Sequence, residues 1–567
     1  MAIDVRPNLL DRAVAWFSPR AGAERLAGRA AISASTSMFG TGGYRGGQGD
    51  RQKRRGFFAR GRSANADMIP GSDRLRAEQR DAAMNAPIAV AALNRMVTFT
   101  IGTGLMAIPA IDGEALGLTP EEVDTWQRRL AVDFDAYMAS KDVDAERKST
   151  GYGLQAVAYR GAITSGDMVK LRVMPEDQPG RVHATAWKLI EADRLCNPPT
   201  VADGAIDPTT GRQIAGGVET DQMGAPVAYH ILKQHPGDLM LRSVDALIPE
   251  RIEAWDRKLA LPRVVHVFKR ERPEQDRGVG MLATIIEPLK TISDASDAEL
   301  YATVMSAMIA VVYKSRGAQP MPEPDYGDGD GGGGGGGGVS VEGGEPYAAA
   351  PEPGQYRFEA GSVMEIDSDS EVEIKSPGRP NSAFDPFFQA IVRQIGAALG
   401  IPAGALMLMF NSSYTASKAE LEALYMQVRA DRAWFASDDC AHTYLCFVAE
   451  QVVLGHYVMP GFFSDMRVRA AWLGANWRGD GKISLNPLQE AKGFEVQEAH
   501  GWRTGEDITA ELTGGSFREN IRHRGAEHRA WVAEGLPVPT TAGAAKAPAG
   551  DKAGSKASDS EKEDGDA

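Results

Sequence analysis

Residues 381–454 constrain the fold more than any other stretch, because two helical repeats meet there at a break that neither can cross. Before the break, Phe384, Phe387, Phe388, Ile391, Ile395, Ala398 and Leu399 recur at steps of three and four and so share one side of an α-helix. Gly400-Ile401-Pro402 follows: glycine ends a helix readily, and proline cannot continue one. Beyond it Leu421, Leu424, Tyr425, Val428 and Phe435 repeat the spacing, with Glu420, Glu422, Arg429, Asp431 and Arg432 on the remaining faces. The connection, residues 403–414, is apolar and methionine-bearing and ends in Asn411-Ser412-Ser413, a turn and helix-capping signal. Leu406 to Phe410 would be a sticky patch in water, so it packs either into the chain's own core or against a neighbouring copy. The pattern leaves both open.

At 567 residues the chain is too long for one small core, and two or three domains are expected. Its 43% hydrophobic and 24% charged residues exclude a wholly disordered chain. The longest apolar run, 300–313, is shorter than the roughly 18 residues of a membrane span, and Asp294, Asp297 and Glu299 precede it, so no membrane helix is expected. Asp4 and Asp11 argue against a secretory signal and for a protein that stays in the cytoplasm of the cell that makes it. Cys196, Cys440 and Cys446 are too few and scattered for a disulfide framework or a cysteine-rich zinc site; buried thiols are expected. A net charge of -14 disfavours a tight sequence-reading DNA binder, although not DNA that merely passes by.

Residues 1–71 read as a flexible arm in which Arg51, Lys53, Arg54, Arg55, Arg60 and Arg62 surround Phe57-Phe58. Such a cluster contacts nucleic acid or an acidic partner, or is a solvated tail. A charged helix runs from Ser72 towards Asn85, and Pro87 starts another. Helices are expected within 119–164, entered through a cap at Thr119, with Trp126, Leu130, Val132, Phe134 and Tyr137 facing inward. Strands at 168–174, 187–190, 227–232 and 264–268 make the middle α+β. A helix over 281–315 would measure about 50 Å, eased at Pro288. Residues 316–380 carry three spaced prolines, an unbroken glycine run at 331–338 that cannot order itself, and small strands at 355–366 and 372–374. After 454 an irregular segment holds Trp472, Trp477 and Trp502, residues 487–500 and 508–533 read as helical, and 537–567 as a disordered tail.

Motifs for chemistry are incomplete. Gly40-Thr41-Gly42-Gly43 follows no strand, and Gly102-Thr103-Gly104 lacks the third glycine of a dinucleotide fingerprint. Residues 476–483 end in Gly481-Lys482 like a nucleotide loop but lack its first glycine and its Ser/Thr. Asp325, Asp328 and Asp330 have no closing glutamate for a calcium loop. The histidines fall singly, no G-x-S-x-G turn occurs, and His266 reads as a satisfied strand histidine. No catalytic residue, cofactor or metal site is expected.

Five stretches, in order, resemble the portal proteins of tailed double-stranded-DNA phages, lambda-like family. They are LRAEQRDAAMNAPIAVAALNRMVTFTIGTGL (75–105), AYRGAITSGD (158–167), GGVETDQMGAPVAYHI (216–231), RPEQDRGV (272–279) and ALGIPAGALMLMFNSSYTASKAELE (398–422). The resemblance implies a non-enzymatic ring of about twelve copies at one capsid vertex, through which a separate ATPase, the terminase large subunit, pumps double-stranded DNA that is later ejected. It also implies capsid and scaffold proteins and a head-tail adaptor as partners, and a place in the virion after synthesis in the host bacterial cytoplasm. The implied fold is helix-rich α+β. Its parts are a wing (72–280), a stem (281–315 and 381–400), a small β-containing clip (316–380), a helical return to the wing (415–485) and a crown (486–536). A tunnel loop, 401–414, would present Ala403, Gly404, Leu406, Met407, Met409, Phe410, Asn411, Ser412 and Ser413 to the DNA channel, while the basic arm would touch DNA or scaffold. The glycine run departs from what a compact clip needs. Alternatives are another head-tail connector ring, or a nucleic-acid-dependent ATPase, which would need a complete nucleotide loop. A ring agrees with the residues themselves, since it supplies the second face that apolar helix sides require.

Overall fold

Capping chemistry sets the first helix starts in the computed structural model, which describes residues 61–238, 240, 244–308, 311–314, 363–366, 383–410, 413–484 and 486–537. Apart from 61–63, these belong to one unit, Ala64–Ala567. Helices α1 (Ala64–Met68), α2 (Ser72–Asn85) and α3 (Pro87–Thr100) come first, the third begun by Pro87, whose missing N–H would be unpaired there anyway. Strand β1 (Met106–Pro109) and the single turn α4 (Gly113–Leu116) precede α5 (Pro120–Ala139). Thr119 and Glu122 cap α5 reciprocally, and Thr150 caps α6 (Gly151–Ser165). Leu130, Phe134 and Tyr137 are buried as expected, but Val132 is 60% exposed, because it lies across the helix from Leu130 and Phe134.

Two antiparallel sheets follow. β2 (Asp167–Val173) and β3 (Ala186–Glu191) join the later β11 (Val264–Phe268) in the order β11-β2-β3, with Phe268 opposite Asp167. β4 (Ala205–Ile206), β5 (Gln213–Ala215), β6 (Val218–Thr220), β7 (Pro226–Ile231) and β8 (Glu250–Glu253) form the second in sequence order, and β9 (Trp255–Asp256) pairs with β10 (Leu261–Pro262). Val169, Ile190, Val218, Tyr229, Ile231 and Val264 join the sheets in one small core.

The expected 281–315 helix is shorter. Residues 281–285 form turns that bury Leu282 and Ile285, and α7 (Ile286–Met308) carries Pro288 in its first turn, where it costs no hydrogen bond and produces no kink. Val311–Lys314 leaves the helix as β12, parallel to β13 (Val363–Ile366), since Val311-Val312-Tyr313 favours a strand once a partner is at hand. The glycine run and the strands expected at 355–362 and 372–374 lie outside the described residues.

Next come α8 (Phe384–Leu399), α9 (Ala403–Met407) and α10 (Tyr414–Phe435), which passes through a π turn (Ala436–Cys440) into α11 (Ala441–Val453). Ser417, Leu421, Leu424, Val428, Asp431 and Phe435 form the buried stripe of α10; across the π turn Asp439, four residues on, and Cys440, five on, are both buried, and the buried side broadens to Thr443, Tyr444, Phe447 and Gln451. In the π turn Asp439 pairs with buried Lys170 at 2.7 Å, and the Lys170 ammonium stands 4.8 Å from the Trp187 ring centre. α12 (Met466–Trp472) and β14 (Ala475–Arg478) replace the expected irregular segment, and β14 pairs antiparallel with β1. α13 (Pro487–Ala499), α14 (Gly505–Thr513) and α15 (Phe517–Ala533) end the described chain, Gly514-Gly515-Ser516 dividing the continuous helix expected over 508–533. The main core gathers α3, α5, α6, α8, α10 and α11 around Phe134, which meets Tyr444 edge-on at 5.0 Å and Phe447 at 5.4 Å. Cys440 and Cys446 are buried and Cys196 half-buried; burial pushes all three thiols up, Cys446 to about 11.

Arg277 ties the two sheets together. Its guanidinium donates to both carboxylate oxygens of buried Asp167, one at 3.2 Å, and to the carbonyls of Ala192 (2.8 Å), Leu195 (3.0 Å) and Gly216 (2.6 Å). A Cβ on Gly278 would stand 1.9 Å from the Gly166 carbonyl oxygen, so only glycine lets the two loops approach closely enough for this pairing. His266 lies 3.3 Å from Asp167. Burial alone would push the Asp167 carboxyl up, but the charge of Arg277, with hydrogen bonds from His266 and Arg277, holds it far below the usual carboxylate range. Its stabilisation is therefore complete at neutral pH and is lost as pH falls below the unfolded value of about 4 towards the folded one. Asp167→Asn should cost about 3–5 kcal/mol in urea denaturation at pH 7, because Arg277 stays buried without its counter-charge, and the gap from the unsubstituted protein should narrow at about pH 3.

Candidate functional site: an exposed apolar turn on an anchored helix

α8 stops where the sequence stops it. Gly400 adopts φ +70°, and the Ile401 N–H folds back to the Gly396 carbonyl at 2.9 Å. Ile401 is buried by this reversal, and a Cβ on Gly396 would stand 2.5 Å from the Ile401 carbonyl oxygen. Pro402 precedes α9, whose Ala405 and Leu406 enter the core, and Met409 N–H donates to the Gly404 carbonyl at 2.9 Å. Leu408 ends α9 at φ +54°, a conformation unfavourable for any residue with a Cβ.

The segment read as one loop is thus a helical turn followed by a tip. Leu406 is 1% exposed and Leu408 58%; Met407, Met409, Phe410 and Tyr414 are exposed too. Of the two fates the sequence allowed, own core holds for the first half, and the second half is left exposed by the described residues. Ala403 and Gly404 are half-buried, Ser413 caps α10 by accepting the Ala416 N–H at 3.4 Å, and Asn411 and Ser412 lie outside the described residues. Arg62 of the basic arm is exposed; Arg51, Lys53, Arg54, Arg55 and Arg60 lie outside the described residues. Sequence reasoning missed Leu408 as the pivot of the turn, for a leucine in a left-handed turn has no local signature. Phe387 and Ala398, assigned to the apolar side of α8, are exposed, while Val392 is buried in their place.

Ionic contacts hold the base of this turn. Asp431 of α10 accepts from Lys269 (2.7 Å), Tyr159 (3.1 Å) and Gln427 (3.1 Å). Burial and then the Asp431 charge push the Tyr159 hydroxyl well above its ordinary value, keeping it a donor. Arg432 donates to the carbonyls of Phe99 (2.8 Å), Thr100 (2.8 Å) and Asp480 (3.1 Å), and Tyr425 accepts the Ile483 N–H at 2.8 Å. Nearer the tip, Lys418 meets Glu490 at 3.3 Å, and Lys482 pairs with Glu422. The tip itself, Met407 to Phe410, bears no charge.

Two chemical readings end here. Lys482, the lysine of the incomplete nucleotide loop, is engaged by Glu422, and Asp480 before it accepts the Thr103 N–H at 2.9 Å, so this loop is occupied by internal contacts. Glu191, Asp193 and His235 bring potential metal ligands within 4.8 Å of one another. Yet His235 Nδ1 accepts the Gly237 N–H at 3.0 Å, which leaves the ring proton on Nε2, facing Glu191 at 3.2 Å, and Arg80 pairs with Asp193. The group is an internal ion cluster.

The profile of "Phage portal protein, lambda family" matches residues 50–432, more than half of the chain. This chain belongs to the lambda family of phage portal proteins. The portal protein of Escherichia phage N15 is 24% identical over 548 residues, covering 94% of this chain and 97% of that one. Portal protein B of Escherichia phage lambda is 22% identical over 525 residues, covering 88% and 93%. Among solved structures, a chain in the virion of a native gene transfer agent particle aligns at 14% identity and TM-score 0.31, over 77% of this chain and 92% of its own. Another, from the neck of that native particle computed with C12 symmetry, aligns at 12% identity and TM-score 0.33, over 78% and 93%. The portal chain is a structural component of the phage particle, not an enzyme. No described helix is long and apolar enough to cross a membrane.

Backbone geometry at the bend makes two opposite changes measurable. Gly396→Ala should lower stability by about 1–3 kcal/mol, because its Cβ meets a backbone oxygen. Leu408→Gly should raise it by up to about 1 kcal/mol, since left-handed backbone suits glycine and little burial is given up. Urea midpoints of the two variants read both effects.

Proposed function

We propose that copies of this chain close into a ring of about twelve at one capsid vertex, through which double-stranded DNA is packaged and later ejected. In this reading each copy contributes Met407 to Phe410 to the narrowest part of the axial channel. The observation that carries it is the uncharged, outward-facing tip held on a base fixed by Asp431 and Arg432. A conduit has to touch the duplex without holding it, and every lysine or arginine that neutralises a phosphate adds salt-dependent affinity. Thioethers and a phenyl ring add none. Residues 316–380 would dock the terminase large subunit and then the head-tail adaptor, 486–536 would form the crown, and capsid and scaffold proteins would meet the wing.

Substituting Met407, Met409 and Phe410 by serine should leave rings unchanged in electron micrographs while the yield of DNA-filled particles falls; a normal yield of filled particles would defeat the tip's assignment. The basic arm is assigned to DNA or scaffold contact because its charge opposes the chain average. Its truncation should stop at residue 60, since α1 is built into the wing: Asn65 pairs with Asp276 at 2.6 Å, and Arg272 with Asp67 at 2.8 Å. Removing residues 1–60 should flatten the log–log salt dependence of DNA binding by about 0.9 for each phosphate the arm neutralises, or else lower capsid incorporation. If both stay unchanged, the arm has neither role.

A further inference from the structure

α13, α14 and α15 contain no buried side chain, so this end of the chain covers little of its own apolar surface. Among the described residues, the polar side-chain contacts of α15 lie at its start, where Arg518 reaches Gln127 at 3.3 Å and Arg522 reaches Asp124 at 3.0 Å. From Ala526 to Ala533 no side chain makes a hydrogen bond or ion pair among the described residues, and neither does Arg524. This half of the helix presents Val532, 59% exposed, in line with Ile521 at helical spacing. Arg524 and Arg529 flank that stripe. α13 offers a counterpart. Glu490, Phe494 and Gln497 face inward, and the outer side displays Leu488 and Val496, the latter 51% exposed, with Lys492 between them and Glu495 and Glu498 beside them.

Resting on the ring reading above, we propose that the second half of α15 in one copy lies across the outer face of α13 in the next. Ile521 and Val532 then cover Leu488 and Val496, with Arg524 and Arg529 opposite Glu495 and Glu498. Charge disfavours the symmetric alternative at α15, where pairing two copies would set arginine against arginine. The chain's own residues 538–567 hold a single large apolar residue, Val538, and cannot supply a cover. A contact between two different faces repeats head to tail rather than stopping at a dimer, and it closes into a ring when the rotation between copies closes.

The test uses the full chain. Arg524→Glu with Arg529→Glu should lower the ring fraction in native mass spectrometry, as should Glu495→Lys with Glu498→Lys, while thermal unfolding of the monomer stays unmoved. The four changes combined should restore rings. Independently, a chain carrying both Val532→Cys and Val496→Cys should give an oxidised ladder of covalent oligomers, and a mixture of the two single variants only mixed dimers. Rings that form with neither charge sensitivity nor cross-linking overturn the contact and leave the ring reading standing. A chain that forms no ring even before substitution overturns the ring reading itself. Dimers of one single variant with itself would point to a symmetric pairing and also sink the proposal.

Discussion

A guanidinium taken out of water has to find an acceptor for each N–H, and this requirement at Arg277 organises the region around it. Asp167 starts β2, Ala192 and Leu195 follow β3, and Gly216 precedes β6, so one side chain fixes the relative placement of both sheets. The consequence runs on to the tip. Phe268, opposite Asp167, is followed by Lys269, which holds Asp431 of α10, and α10 begins at the exposed turn.

Three stretches that carry the family resemblance, around Asp167, Gly216 and Arg277, converge in space at this node. Nothing local in RPEQDRGV says that Arg277 is buried while Arg272, in the same motif, reaches the half-exposed Asp67; burial of a charge depends on partners up to 110 residues away. Helix starts were legible because their chemistry is local: Thr119 with Glu122, Pro87 and Ser413 act on neighbours in the chain. The break at Gly400 and the apolar members of the inward face of α10 were legible for the same reason; Asp431, assigned to the remaining faces, is instead buried in that stripe, where Lys269, Tyr159 and Gln427 satisfy it. β12 was not, since Val311–Lys314 becomes a strand only by pairing with Val363–Ile366 across an intervening segment. The tip was half legible: hydropathy marked 406–410 as one apolar run, and only the backbone reversal at Leu408 divides the buried part from the exposed part.

Charge follows the same division. Of the acidic and basic side chains of this region, Lys418, Glu422, Lys482, Glu490, Asp431 and Arg432 engage partners in the chain, while the Glu420 carboxylate stands beside Gly404. Electrostatics fixes the helix, and the outward-facing surface is left to groups whose interactions do not depend on salt.

The five-residue step from Phe435 to Cys440 leaves the helix continuous. A helix that must turn its sticky side from one set of neighbours to another could do so at a glycine or proline joint, but neither residue occurs between Tyr414 and Val453. The π turn lets both Asp439 and Cys440 face inward without interrupting the helix, which rises about 60 Å from Tyr414 to Val453. One continuous run of helical hydrogen bonds therefore links the apolar turn to the aromatic interior around Phe447.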